Sequence, residues 1–158
     1  MKIVLLTLLC FLLPFSVEAK KEKPLKYDIE CAGTGGEGTY LVKVTVYASG
    51  RNQVTDDMLR KGAVHGVIFR GFKGQEGCVS QKPLAKSPAV EQEKADFFST
   101  FFQENGQYMT YALMVKGSIE TVKVAKEYAT SAIISVSKDL LRQDLEKAGI
   151  IRGLSSAF

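Results

Sequence analysis

From Thr39 to Ala48 the chain alternates with a period of two. Tyr40, Val42, Val44 and Val46 fall on one side, and Lys43 and Thr45 on the other. These residue types favour extended backbone, so the pattern specifies a strand with one buried and one wet face. A strand of this kind needs neighbours in a sheet and a cover over its apolar side. The rest of the chain shows what supplies them.

Tyr27 to Ala32 reads as a first short strand, and Gly33-Thr34-Gly35-Gly36-Glu37-Gly38 as a flexible hairpin connection. Ser49-Gly50-Arg51-Asn52 breaks the second strand. Thr55 or Asp56 then caps a helix running to about Arg70, with Gly71 as a left-handed stop and Phe72 packing back. Its apolar face is Leu59, Ala63 and Val67, with Val64 and Ile68 beside them. Gly62 and Gly66 each cost this helix about 1 kcal/mol relative to alanine. Their spacing predicts that another backbone approaches closely at that side.

Residues 73–87 lack periodicity and contain Gly74, Gly77 and Pro83. A loop longer than about 12 residues is expected to be functional or mobile. Ser87-Pro88 marks a second helix, with proline at the first helical position, running to about Glu104 and ending at Asn105-Gly106. Val90, Phe97, Phe98, Phe101 and Phe102 form its aromatic stripe, which reads as core. Strands follow at Tyr108 to Val115, Ile119 to Ala125 and Tyr128 to Val136, with turns at Lys116-Gly117 and near Lys126-Glu127. Ser137 caps a final helix whose apolar face is Leu140, Leu141, Leu145 and Ala148; Gly149 stops it and Ile150 covers its end. Hairpin-linked strands pair antiparallel, and helices grouped on one face give two layers. The predicted fold is α+β: a mainly antiparallel sheet of four to five strands with about three helices packed on it.

Lys2, the apolar run Ile3 to Phe15 and the small-residue pattern Val17-Glu18-Ala19 read as a cleaved signal peptide over residues 1–19. The apolar run is too short for a bilayer of roughly 30 Å. A charged, mobile leader is expected at 20–26, a single domain at 27–151 and a short tail at 152–158. The mature chain then has no transmembrane anchor and works in the periplasm or outside the cell. Cys10 lies within the apolar run, not at its end, which argues against a lipid anchor. The absence of any Asn-x-Ser/Thr acceptor leans toward a bacterial source.

Removing residues 1–19 takes away Lys2 and Glu18 and leaves the net charge at +4. Beyond the Lys20–Lys26 run the basic residues are interspersed with acids, so no nucleic-acid face is expected. Cys31 and Cys78 remain. An oxidising compartment permits a bridge between them, closing a loop of about 48 residues and contributing about 4 kcal/mol. Two free thiols, one at a strand end and one in a loop, are the alternative.

Several motifs lose their chemistry in context. Gly33-x-Gly35-x-x-Gly38 matches a nucleotide-binding glycine pattern, but a strand follows it where a phosphate-binding helix should start. A kinase would also need His-Arg-Asp and Asp-Phe-Gly, and neither occurs. The cluster Gly71 to Gly77 trails a helix, whereas a phosphate cradle precedes one. His65 is the only histidine, too few for a zinc-type site, and reads as a helix-surface residue. Nothing around Cys31 or Cys78 marks an activated thiolate. Asp56, Asp57, Glu91, Glu93, Asp96 and Glu104 read as helix-start or solvated acids before paired catalytic carboxylates. No catalytic residue, metal or cofactor is expected.

The segment Tyr128-Ala-Thr-Ser-Ala-Ile-Ile-Ser-Val-Ser-Lys-Asp-Leu-Leu-Arg-Gln-Asp-Leu-Glu-Lys-Ala-Gly149 carries a strand directly into a helix, after an earlier glycine-bearing helix. It resembles the α+β domain shared by a periplasmic flagellar ring-accessory protein and certain bacterial surface lipoproteins. The resemblance covers the last third of the chain and implies a non-catalytic role in envelope assembly. It hands over no functional residues, and this chain lacks the lipid-attachment cysteine. Over its whole length the chain is also similar to exported bacterial proteins of unassigned function.

These readings make the protein an exported, non-catalytic binding or assembly-accessory protein of the bacterial cell envelope, with another envelope protein as partner. The expected contacts are Lys73, Glu76 and Lys82 in the 73–87 loop, or an exposed sheet edge. A small-ligand carrier or sensor is the alternative, with an apolar pocket between helices and sheet near Phe97 and Phe101. A small hydrolase using Cys31, Cys78, His65 or Glu91 ranks last.

Overall fold

The computed structural model describes residues 24–74 and 77–153. The segments expected to be a signal peptide and leader up to Lys23, Gln75 and Glu76 in the 73–87 loop, and the residues beyond Gly153 lie outside the described residues. The fold is α+β, with five antiparallel strands and four helices.

β1 (Tyr27–Gly33) and β2 (Tyr40–Ala48) form the expected hairpin, with a register shift between Cys31 and Gly33. β5 (Glu127–Val136) pairs the other side of β2 along its length, from Tyr40 opposite Val136 to Ala48 opposite Tyr128. One face of this sheet carries the core: Val42, Val44, Val46, Ala132, Ile134 and Val136 are all buried. The other face presents Asp28, Glu30, Lys43 and Thr45 in cross-strand register.

Of the three later strands expected from the sequence, the second and third form a hairpin, but the first two do not pair with each other. β3 (Ala112–Met114) and β4 (Glu120–Val124) both pair the free side of β5, one after the other. They are two halves of one edge strand, interrupted at 115–119. The Ser118 hydroxyl closes the gap, accepting from Ile133 N at 3.0 Å and donating to Val115 O at 2.7 Å. Gly117 makes the bend at φ 75. The strand expected from Tyr108 is also shorter, because Gln107–Tyr111 is a 3-10 helix. Three residues per turn bring Tyr108 and Tyr111 to the same side, and both are buried there.

α1 (Asp56–Phe69) crosses the apolar face, capped by Thr55, whose hydroxyl accepts from Met58 N. Gly71 has φ 64, as a left-handed stop requires. The close approach at Gly62 and Gly66 is made by side chains, not by another backbone. A methyl group on Gly66 would lie 2.7 Å from Ile29 Cδ1, and one on Gly62 would lie 3.1 Å from Val44 Cγ1.

The second helix is broken into α2 (Ala89–Glu93) and α3 (Ala95–Phe101) at Lys94, whose φ −115 and ψ 33 are not helical. Pro88 occupies the cap position before α2, not its first turn. The break re-aims the stripe, so that Phe98, Phe101 and Phe102 are buried and Phe97 packs beside them. α4 (Lys138–Lys147) buries Leu141 and Leu145, but Leu140 is 43% exposed and Ala148 is exposed. Ser137 holds the cap position without a side-chain cap bond, and Gly149 (φ 67) ends the helix with Ile150 buried over it.

The 73–87 segment is tied down at several points. Phe72 and Gln81 exchange two backbone hydrogen bonds, and Leu84 N and Ala85 N donate to Val67 O and Ile68 O. Cys31 and Cys78 form a disulfide with Cα atoms 6.2 Å apart. Among the described residues, no helix is long and apolar enough to cross a membrane.

Candidate functional site

α1 and the α2–α3 pair diverge beside β1, leaving an open groove of about 820 Å³. Asp57, Lys61 and His65 follow one another at four-residue spacing, so they line a single side of α1 over about 12 Å. Phe98 and Phe102 from the opposite helix, with Met58 and Leu25, give the groove an apolar floor. Asp57 and Glu104 stand toward one end; Lys61, Glu91 and Arg70 stand around Tyr27 and His65.

His65 is not the helix-surface residue that its sequence position suggests. Its side chain is 22% exposed, and its ring packs against Phe69 and Phe102 with centroids 4.8 and 5.4 Å away. Nε2 lies 2.9 Å from Glu91 Oε1, and Nδ1 lies 2.6 Å from the Tyr27 hydroxyl. A carboxylate only accepts, so Nε2 carries the proton to Glu91 and Nδ1 accepts from the Tyr27 O–H. Burial lowers the His65 pKa below its ordinary value of 6.5. Glu91 pulls it back up, while Arg70 and Lys61 push it down. The same burial raises the Tyr27 phenol far above its usual range.

Arg70 holds the other side of Tyr27. Its guanidinium lies 4.0 Å from the centre of the Tyr27 ring, and Nη1 donates to Tyr27 O at 2.7 Å. The chain Glu91–His65–Tyr27, backed by Arg70, therefore ties β1, α1 and α2 together. Both imidazole nitrogens are engaged within it, so this arrangement presents no lone pair of His65 to a bound molecule.

At the acidic end, Asp57 accepts from the Tyr108 hydroxyl and from Asn105 N. A parallel contact lies across the aromatic cluster. The Tyr111 hydroxyl donates to Asp144 Oδ2 at 2.9 Å, and burial with this carboxylate pushes the Tyr111 phenol up to about 12.

The residues singled out in the sequence are dispersed. Lys73 and Lys82 are exposed and line one shallow depression with Asp28, Glu30 and Gln81, on the far side of Arg70 from the groove. Phe97 and Phe101 line a smaller cavity of about 360 Å³, between α3, the 3-10 helix and α4 instead of between helices and sheet. Cys31 and Cys78 are joined to each other, and neither meets His65. Among the described residues, no three His, Cys, Asp or Glu side chains come together as a metal-binding set. Tyr27 and Arg70 were absent from the sequence-level candidates. The one local signal for them was the glycine pair flanking His65, which marks a side of α1 that something must touch.

No family model matches this chain, and neither does any curated protein or solved structure.

Proposed function

We propose that the protein is an exported, non-catalytic binding or assembly-accessory protein of the bacterial cell envelope, and that it holds another envelope protein along the α1 groove. The observation that carries this reading is the groove itself: an apolar floor of Phe98, Phe102 and Met58 between charged ends. Function concentrates in such concave, mainly apolar sites with a few placed polar groups. The Cys31–Cys78 disulfide suits an oxidising compartment.

Ser99 is exposed on the groove wall. Ser99→Trp fills the groove without disturbing the core, and it should abolish a capture from envelope extract that the wild-type chain makes. Equal capture by both refutes the groove as the surface. Loss instead on Lys73→Glu with Lys82→Glu would move the contact to the 73–82 loop.

A small-ligand carrier is the second reading, because about 820 Å³ lies within the range of small-molecule sites. Native mass spectrometry should then show a co-purifying mass that Ser99→Trp removes. A bare protein mass in both would sink it.

A further inference from the structure

Five of the seven exposed large hydrophobic residues among those described lie on one sheet edge: Leu113, Val115, Ile119, Val122 and Val124. That edge is β3 and β4, at the opposite side of the sheet from β1 and the groove. We propose that a second copy of this chain pairs here, antiparallel through β4 about a two-fold axis at Val122, so that the two sheets become one.

The hydrogen-bonding pattern shows which groups are offered. Only Ala125 and Lys126 separate β4 from β5, and such a two-residue hairpin closes on a hydrogen-bonded pair, here Val124 and Glu127. Alternation then directs the backbone groups of Glu120, Val122 and Val124 toward β5. Those of Thr121 and Lys123 point to the open edge. The 3.0 Å contact between the Thr121 and Thr130 hydroxyls fits this phase, because side chains come closest in non-hydrogen-bonded pairs.

Charge and packing select the register. Centring the axis on Lys123 sets Lys123 of one copy directly opposite Lys123 of the other, which is destabilising. Centring it on Thr121 sets Val122 opposite Glu120 and separates the valines. Centring it on Val122 pairs Thr121 with Lys123 through outward-facing groups and sets the two Val122 side chains in a close pair. Val124 of each copy then lies diagonal to Val122 of the other, and Glu120 diagonal to Lys126. Side-chain alternation puts the four valines on the sheet face that no helix covers. The same face is mixed elsewhere: Asp28, Glu30, Lys43 and Thr45 share it with Leu41, Tyr47, Ala129 and Ile133. Five paired residues per copy form a small interface, so the dimer is weak, with a dissociation constant on the order of micromolar to millimolar.

This proposal goes beyond the groove reading and stands apart from it, since Val122 does not line the groove. Sedimentation equilibrium over a concentration series should show a reversible dimer, and Val122→Lys should weaken it on the order of a hundredfold. Val122 is 55% exposed, so the lysine leaves the monomer's core intact. In a Cys10→Ser background, Val122→Cys should cross-link copies under mild oxidation, because close antiparallel pairs bring Cα atoms within disulfide range. Val124→Cys, about four residues out of register with its own copy, should not. A monomer at every concentration, a dimer indifferent to Val122→Lys, or equal cross-linking through positions 122 and 124 would overturn the proposal. Partner capture lost on Ser99→Trp but kept on Val122→Lys would leave the groove reading untouched by any of these results.

Discussion

Replacing Gly66 with alanine asks one methyl group to fit between α1 and β1. Helix propensity alone favours the change by about 1 kcal/mol. The new Cβ would stand 2.7 Å from Ile29 Cδ1, 3.2 Å from Cγ2 and 3.3 Å from Cβ. Cδ1 is a flexible tip, but Cγ2 and Cβ are fixed to the β1 backbone, so the strand must shift. Overpacking of this kind costs about 1–3 kcal/mol, and set against the propensity term it leaves Gly66→Ala about 1 kcal/mol less stable. The melting temperature should fall by roughly 4 °C. Gly62→Ala is the control. Its nearest neighbour is Val44 Cγ1 at 3.1 Å, and the next contact, Tyr27 Cγ, is already at 3.5 Å. Gains and losses there nearly cancel, leaving stability within about 0.5 kcal/mol of wild type. Urea denaturation measures both. In an Ile29→Ala background the obstruction is gone, so Gly66→Ala should become stabilising by about 1 kcal/mol, a coupling of about 2 kcal/mol. A Gly66→Ala protein at least as stable as wild type, or one with the same effect in both backgrounds, refutes the reasoning.

His65 makes stability depend on pH. Its folded pKa is held below 6.5, so the unfolded chain takes up this proton first. The His65 contribution is complete above about pH 6.5 and is lost as pH falls through the folded value. Melting temperature should therefore drop in mildly acidic buffer, and His65→Gln should flatten that part of the profile; parallel profiles would count against it. Replacing Cys31 and Cys78 together by serine opens the loop they close across a sequence separation of 47. This should cost about 4 kcal/mol in chemical denaturation, and a loss under about 1 kcal/mol would mean that the hydrogen bonds of the 73–87 segment suffice alone. Phe98→Ala should cost about 3–5 kcal/mol, because its ring is 3% exposed between Phe69, Phe97 and Phe101. An unchanged denaturation midpoint would remove the aromatic stripe from the core.

The amino-acid pattern carries the elements whose signals are local. The period of two from Tyr40 to Val46 became β2, with all three valines buried. Thr55 and Gly71 bracket α1 through cap chemistry that acts within a few residues. The α+β class followed, because alternating strands and amphipathic helices declare which face each must hide. Where two local readings compete, the pattern fails. The phenylalanines at 97, 98, 101 and 102 suit one long helix as well as two short ones, and only packing against Phe69 and Tyr111 selects the break at Lys94.

Tertiary structure alone decided the rest. β3 and β4 look like a hairpin, yet both take their partner from β5, whose free side is long enough for the two end to end. His65 reads as a surface residue because its partners are 38 and 26 positions away, in Tyr27 and Glu91. A sequence states which side chains leave water. Which of them meet depends on how the chain closes its long loops, and there one hydrogen bond between distant residues has no local signature.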